Sequence, residues 1–246
     1  MIGTTAIVTG GAHNIGRAIA LQLAAAGARV VVNAKTSEEA AESVARTIRD
    51  AGGEAIVHMC DVTDEAATQG LAEAAVTAFG GIDILVNNAA VRRETKFEEL
   101  THAEWREILA VILDGAFLCS RAALPYLRKS AAASIVNLGG MSAHLGSEGR
   151  AHVITAKAGL IGLTRAMAHD LAPDITVNCV VPGRIDTVRG ASAIGGGAAG
   201  LHDRTIPAGR RGTSDEIANM VRFLSGPDAR YVTGQTLHVN GGAFLP

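Results

Sequence analysis

A chain of 246 residues, 48% of them hydrophobic, can bury a sizeable core, and α/β domains of this size are often one unit. Lys and Arg total 22 against 24 Asp and Glu, a formal net charge of −2, so there is neither the basic excess of a nucleic-acid binder nor a charged tail. No apolar run approaches the roughly 18 residues of a membrane span, and residues 1–9 carry no basic, cleavable leader; no membrane partner and a cytoplasmic location are expected.

Taken in chain order, short β-branched runs alternate with helical periodicity. Strands are predicted at 4–9, 29–34, 54–59, 82–87, 134–138, 176–181 and 236–239. Between them, helices are predicted at 15–27, 38–51, 64–79, 103–129, 150–172 and 214–225. This alternation predicts a parallel sheet covered on both faces. Right-handed crossovers make it doubly wound, with ligands at the carboxyl ends of the strands. One domain is expected over 1–246. The irregular stretch 188–209, with Gly195-Gly196-Gly197 and Gly200, has the composition of a mobile segment over a substrate site. Cys60, Cys119 and Cys179 lie far apart in apolar contexts, with neither zinc nor redox spacing. They are expected to be buried, reduced thiols, and no metal site is expected.

The first strand runs into Thr9-Gly10-Gly11-Ala12-His13-Asn14-Ile15-Gly16, which opens a helix. Small residues let the backbone approach a pyrophosphate, and the helix start supplies N–H groups and a positive dipole end. The second strand decides between cofactors. Enzymes that use NAD end it with an acid for the ribose hydroxyls, whereas Asn33-Ala34-Lys35-Thr36-Ser37 has no carboxylate at that point. Asn33, Lys35, Thr36 and Ser37, with His13 from the glycine loop, suit a 2′-phosphate instead. NADP(H) is the expected cofactor.

In these motifs the chain resembles the short-chain dehydrogenase/reductase family, whose first motif is Thr-Gly-x-x-x-Gly-x-Gly. Thr9, Gly10 and Gly16 match it, and Asn14 stands where the middle glycine would be. Asn is the residue other than Gly that best tolerates a left-handed backbone, so the turn is expected to survive. Asp61-Val62 is similar to the family's adenine contact, and Asn87-Asn88-Ala89-Ala90 to its turn after the fourth strand, with Ala90 for Gly. Pro182-Gly183-Arg184-Ile185-Asp186-Thr187 is similar to the segment lining the nicotinamide, and Gly234-Gln235-Thr236 with Asn240-Gly241-Gly242 to the C-terminal signature. The likeness is greatest to the oxoacyl-acyl-carrier-protein reductase branch. It implies a Rossmann fold with a seven-stranded parallel sheet. It also implies cofactor contacts at Gly10, Asn14, Ile15, Gly16, Asp61, Val62, Asn88, Ala89, Lys157, Pro182, Gly183, Ile185 and Thr187. The helices at 103–129 and 150–172 match those that pair subunits in similar proteins. A homotetramer is therefore expected, with a dimer as the runner-up.

The family's carbonyl chemistry uses an Asn, a Ser, a Tyr and a Lys, the last two four residues apart on one helix face. The resemblance places the lysine at Lys157, but Val153 stands at the Tyr position, Gly140 at the Ser position and Ile112 at the Asn position. Ketone reduction needs a proton as the hydride arrives, and valine supplies none. Ser142, His144 and His152 are the candidate substitutes, histidine being able to act as an acid near neutrality. Arg92, Arg93 and Arg150 lie near the expected substrate mouth, where two readings stay open: a solvated or interfacial role, or attraction of an anionic substrate. Three readings stay open: a reductase acting on an activated C=N or C=C bond, an inactive NADP(H)-binding sensor or partner subunit, and a non-redox lyase or isomerase.

Overall fold

The computed structural model describes residues 1–187 and 206–246. Its elements follow the predicted alternation: β1 (Thr5–Val8), α1 (Asn14–Ala25), β2 (Arg29–Ala34), α2 (Glu38–Asp50), β3 (Ala55–Met59), α3 (Glu65–Phe79) and β4 (Ile84–Asn87). Then come α4 (His102–Leu109), a π turn (Ala110–Asp114), α5 (Gly115–Leu127), β5 (Ala133–Leu138), the short α6 (Ser142–Leu145) and α7 (Ala151–Leu171). The chain closes with β6 (Ile175–Pro182), α8 (Ser214–Leu224) and β7 (Thr236–Val239). The seven strands form one parallel sheet in the order β3-β2-β1-β4-β5-β6-β7.

The unbroken apolar strand sequences follow from burial on both faces, since side chains alternate and each face needs its own set. Ala6, Val8, Val30, Val32, Ile84 and Val86 face one core, where they meet Ile19, Leu23, Val44, Ile48, Ile217 and Val221 of α1, α2 and α8. Ile7, Val31, Leu85 and Ile135 face the other, against Leu71, Cys119, Leu127 and Ala168 of α3, α5 and α7. Local chemistry sets the helix ends. Asp64 caps α3 by accepting from Ala66 N and Ala67 N, and Gly80 ends it at φ 86°. Thr213 and Glu216 form a reciprocal capping box at α8.

Three expectations are modified. The single helix predicted over 103–129 is interrupted by the π turn, where Gly115 lets α5 press on the core: a β-carbon there would lie 2.8 Å from Val62 Cγ2. Cys60 is half-buried, unlike Cys119 and Cys179, although all three are free thiols. The segment expected over a substrate lies, at 188–205, outside the described residues; only its last residues, 206–209, are described.

A buried polar chain joins the strands to the site helices. Asn87 Nδ2 donates to Asn137 Oδ1 (2.9 Å) and Ser120 Oγ (3.1 Å), and Asn137 Nδ2 donates to Thr164 Oγ1 (2.9 Å). These bonds tie β4 and β5 to α5 and α7, and so fix the rotation of the helix that carries Val153 and Lys157. Buried amides that lose such partners cost about 1–3 kcal/mol each, which holds the network to one arrangement.

Candidate active site

Strand order reverses between β1 and β4, and the turns that follow these two strands are braced against each other. Thr9 Oγ1 accepts from Asn88 N (3.0 Å) and Ala89 N (3.1 Å). Asn88 Nδ2 donates to the carbonyls of Thr9 (3.0 Å) and Gly10 (2.9 Å). The packing leaves no room for side chains. A β-carbon on Gly10 would lie 3.0 Å from Ala89 Cα, and one on Gly16 would strike the Gly10 carbonyl and lie 2.6 Å from Asn88 Nδ2. Asn14 has φ 48°, the one positive φ outside glycine among the described residues, so the expected left-handed turn forms without the family's middle glycine.

The start of α1 fits a pyrophosphate. His13, its N-cap residue, makes no side-chain cap hydrogen bond, and the first turn holds no acid. By contrast α3, α4 and α8 are all capped by side chains. An uncapped, acid-free helix start directly after a glycine turn is compatible with an anion, as at other anion-binding helix starts. His13 and Ile15 flank this opening, His13 exposed and Ile15 half-buried.

At the end of β2, Lys35 and Thr36 are exposed, and Ser37 caps α2 without a side-chain hydrogen bond. Lys35 Nζ lies 2.6 Å from Asp61 Oδ2, so the expected phosphate donor and the expected adenine contact are neighbours. Burial works against the Asp61 charge, yet hydrogen bonds from Lys35 and Thr63 hold its carboxyl below the usual carboxylate range. Asn33 requires a correction. Its amide is buried, donates to the carbonyls of His58 and Cys60 (3.2 Å each), and accepts from Gly10 N at 3.4 Å. It holds the glycine turn against β3 and does not face a 2′-phosphate. Val62 is likewise buried against the core, so its backbone is what a cofactor would meet.

On the other side, Pro182 ends β6, and Gly183 permits a close crossing: a β-carbon there would lie 2.6 Å from Asn240 Cα. Ile185 pairs with Gly212, and Thr187 closes the described part of this segment. Met141 N donates to Pro182 O (3.2 Å), which joins this wall to the loop after β5.

Lys157 stands beneath that loop. It is 9% exposed, and its Nζ donates to the Leu138 carbonyl. Burial pulls its ammonium down to about 8; the Cys179 thiol opposes this and the Arg92 guanidinium reinforces it. Cys179 lies below Gly139, and burial pushes its thiol up to about 11. Neither Cys179 nor Arg92 was singled out as a neighbour of Lys157 from the sequence. The pairing of Asn137 with Cys179 across β5 and β6 brings the thiol there, and only strand register would have shown it.

Around Lys157, Ile112 and Val153 belong to one buried apolar cluster with Ile108, Ala116, Ala156 and Leu160. At Gly140 a β-carbon would meet only Lys157 Cγ, at 3.8 Å, so the space is open. The contacts described for the three candidate substitutes are with groups other than Lys157. His152 is wholly buried and turns to α4, with Nε2 3.4 Å from Glu104 Oε1, itself held by Thr95 Oγ1 at 2.6 Å. Burial lowers its pKa, Glu104 opposes the shift and Arg93 adds to it. His144 packs on His238 (centroids 4.5 Å apart) and Phe244, and burial lowers its pKa as well. Ser142 begins α6, and its backbone carbonyl accepts from Gly146 N. The expectation that either histidine serves as the acid is therefore corrected: each ring is committed to a packed contact elsewhere. Arg93 pairs with Glu107 (2.7 Å) and Arg150 with Glu94, both half-buried, whereas Arg92 is exposed.

Comparison with known proteins agrees with this geometry. The profile of the family described as Enoyl-(Acyl carrier protein) reductase matches residues 10–243. The chain is 37% identical over 242 residues to the 3-oxoacyl-[acyl-carrier-protein] reductase FabG of Staphylococcus aureus (strain Mu50), covering 98% of each chain. It is 39% identical over 244 residues to the FabG of Escherichia coli (strain K12), covering 99% of this chain and 98% of that one. Among solved structures, a short-chain dehydrogenase from Burkholderia cenocepacia J2315 in complex with NADP superposes with a TM-score of 0.91 at 36% identity, covering 98% of each chain. A dehydrogenase/reductase from Sinorhizobium meliloti 1021 gives a TM-score of 0.93 at 36% identity, covering 100% of this chain and 96% of that one. The chain belongs to the short-chain dehydrogenase/reductase family, in its 3-oxoacyl-[acyl-carrier-protein]-reductase-like branch.

Proposed function

We propose that this protein is an NADP(H)-dependent reductase with non-standard proton transfer, acting on an activated C=N or C=C bond of an anionic small molecule. The observation that carries the reading is the contrast within one site. The turns after β1 and β4 pack closely enough to fit a dinucleotide, while Ile112 and Val153, the latter one helical turn from Lys157, belong to a buried apolar cluster. When bound, NADPH supplies a hydride. The leading amides of α1 hold its pyrophosphate, and His13, Lys35, Thr36 and Ser37 hold the 2′-phosphate. Asp61 and the Val62 backbone meet the adenine. Gly10, Asn14, Gly16, Asn88 and Ala89 shape the turn against which it lies. Lys157 would position the nicotinamide ribose, and residues 182–187 would line the ring. The exposed Arg92 recognises the substrate anion.

A hydride acceptor that is already cationic or conjugated needs less help from a side-chain acid than a ketone does. NADPH oxidation, followed by absorbance, is expected to be faster with a cyclic iminium or an enone than with simple ketones. Equal or faster ketone turnover would overturn the reading. For the cofactor, calorimetry is expected to show tighter binding of NADPH than of NADH. Lys35→Ala is expected to weaken NADPH by about tenfold, the order of one charged hydrogen bond, and to leave NADH unchanged. Binding of NADH as tight as that of NADPH would refute the cofactor assignment.

The assembly we propose is a homotetramer built on α4, α5 and α7. Within this region the helix His102–Leu127 reaches a mean hydropathy of 1.7, long and apolar enough to cross a membrane, yet only 39% of its most apolar window is buried in one protomer. Its α5 part packs on α3 and β4, which accounts for one face. The remaining apolar surface, including the 45%-exposed Phe117, suits contact with a second copy.

A further inference from the structure

We propose that Lys157 is itself the proton donor of this protein: its ammonium hands a proton directly to the substrate atom left electron-rich by hydride addition. The inference rests on the reductase reading above and names the group that replaces the missing acid.

The geometry leads there by elimination and by access. At the positions that would carry Asn, Ser and Tyr, the chain offers Ile112, Gly140 and Val153, none with a transferable proton. His152 is turned to Glu104, and His144 is packed on His238 and Phe244. Cys179 is fully buried below Gly139, with its thiol pushed up by burial. Lys157 borders the open space at Gly140. The Leu138 carbonyl takes one of the three protons of its ammonium. The other two remain for a ligand and can serve both the nicotinamide ribose and a substrate atom.

The charged surroundings favour release. The titratable groups acting on Lys157 are Cys179 from β6 and Arg92 from the segment after β4. On its own helix Val153, one turn earlier, belongs to an apolar cluster with Ile112 of the π turn, and the neighbouring His152 faces Glu104 of α4. Desolvation and the nearby guanidinium bring the ammonium down to about 8, close to working pH, where a general acid is most effective. The step balances. In a conjugated C=C bond the β-carbon would take the hydride that bound NADPH supplies, and the displaced π pair would move to the α-carbon or, through the conjugated system, to the carbonyl oxygen. That atom takes a proton from Lys157 Nζ, and water reprotonates the neutral amine. The cofactor is oxidised and the substrate reduced by two electrons.

Two measurements decide it. The chain has four lysines, Lys35, Lys96, Lys129 and Lys157, so lysine side-chain NMR is tractable. In protein labelled with ¹³C-lysine, with the other three replaced by arginine for assignment, the Lys157 Cε resonance is expected to titrate near 8. A midpoint above about 10, the ordinary lysine value, would overturn the inference. The second measurement compares two hydride acceptors. An N-methylated cyclic iminium takes a hydride and no proton, whereas cyclohexenone takes both. Lys157→Arg keeps a cation for the ribose but holds its proton too tightly to give it up. Both rates are expected to fall, because the same side chain holds the ribose, but cyclohexenone turnover is expected to fall about 10²-fold further than iminium turnover, and the ratio of the two is the readout. Lys157→Met should lose the proton-requiring reaction as fully. If Lys157→Arg slows both acceptors equally, Lys157 is a positioning residue and the inference fails while the reductase reading stands. If wild type oxidises NADPH with neither acceptor, the reductase reading falls and takes the inference with it.

Discussion

Protein carrying both Gly140→Ser and Val153→Tyr is expected to reduce acetoacetyl thioesters and simple ketones about 10²-fold faster than wild type, which should be slow on both. The expectation rests on space, spacing and chemistry together. A side chain at Gly140 meets only Lys157 Cγ at 3.8 Å, so serine fits without displacing its surroundings. Val153 lies one helical turn before Lys157 on α7, the separation at which two side chains share a face. A phenol placed there comes under the field of the Lys157 ammonium, which lowers its pKa and makes it a better acid. General acid catalysis contributes about 10²–10⁴-fold, and the low end is expected because Ile112, 2% exposed, still blocks any water relay. Val153 is packed with Ile108 and Ile112, so the tyrosine should also cost about 1–3 kcal/mol of stability through overpacking. Thermal melts separate that cost from a failure of catalysis. Brisk ketone turnover by wild type would show that the missing tetrad is dispensable. No gain in a folded, NADPH-binding double variant would show that more than the acid has been lost.

The architecture was legible in the sequence because burial on both faces forces each strand to be apolar throughout, and the glycine and asparagine turns then mark where strands give way to helices. All seven strands lie within about two residues of their expected bounds. The π turn was not legible. Ala110-Val111-Ile112-Leu113-Asp114 contains neither proline nor glycine, and the widening accompanies contacts from far away: Gly115 against Val62, and Leu113 against Gly159. Side-chain direction was the second blind spot. Asn33 sits in the phosphate-reading stretch by order along the chain, but strand alternation turns it under the glycine turn. His152 adjoins Val153 in sequence, but successive helix positions diverge by about 100°, and the next surface it meets is α4. That Val153 has no proton to donate, by contrast, is a matter of residue identity alone and needs no fold to be read.

Lys157→Met is expected to make the protein more stable at pH 7 while abolishing proton-requiring turnover. The folded lysine titrates at about 8, whereas an unfolded lysine titrates at about 10.4. Between these values the unfolded chain binds more protons than the folded one, so the stability contributed by this group rises with pH across the window. Below about pH 8 its full cost is present. The gap corresponds to about 3 kcal/mol, an upper bound on what methionine recovers, because methionine also gives up the hydrogen bond to the Leu138 carbonyl. For a chain of this size each kcal/mol shifts Tm by about 2–4 °C, so a rise of several degrees is expected at pH 7. Wild-type stability alone is a poor readout, because burial raises the thiols of Cys60, Cys119 and Cys179 to about 11, 12 and 11. Thiols raised in this way contribute stability below their unfolded pKa and lose it as pH climbs toward the folded value, opposite in sign to Lys157. The contributions of Cys60 and Cys119 cancel in the difference between wild type and Lys157→Met at fixed protein concentration. That difference should be greatest below pH 8 and should level off above about pH 10.4, where only the lost Leu138 hydrogen bond and the changed packing remain. A variant no more stable than wild type at pH 7, or a difference that does not shrink between pH 8 and 10, would mean that Lys157 carries no buried charge in the folded protein. A positive result would identify Lys157 as a group whose buried charge costs the fold stability, as residues held for function commonly do.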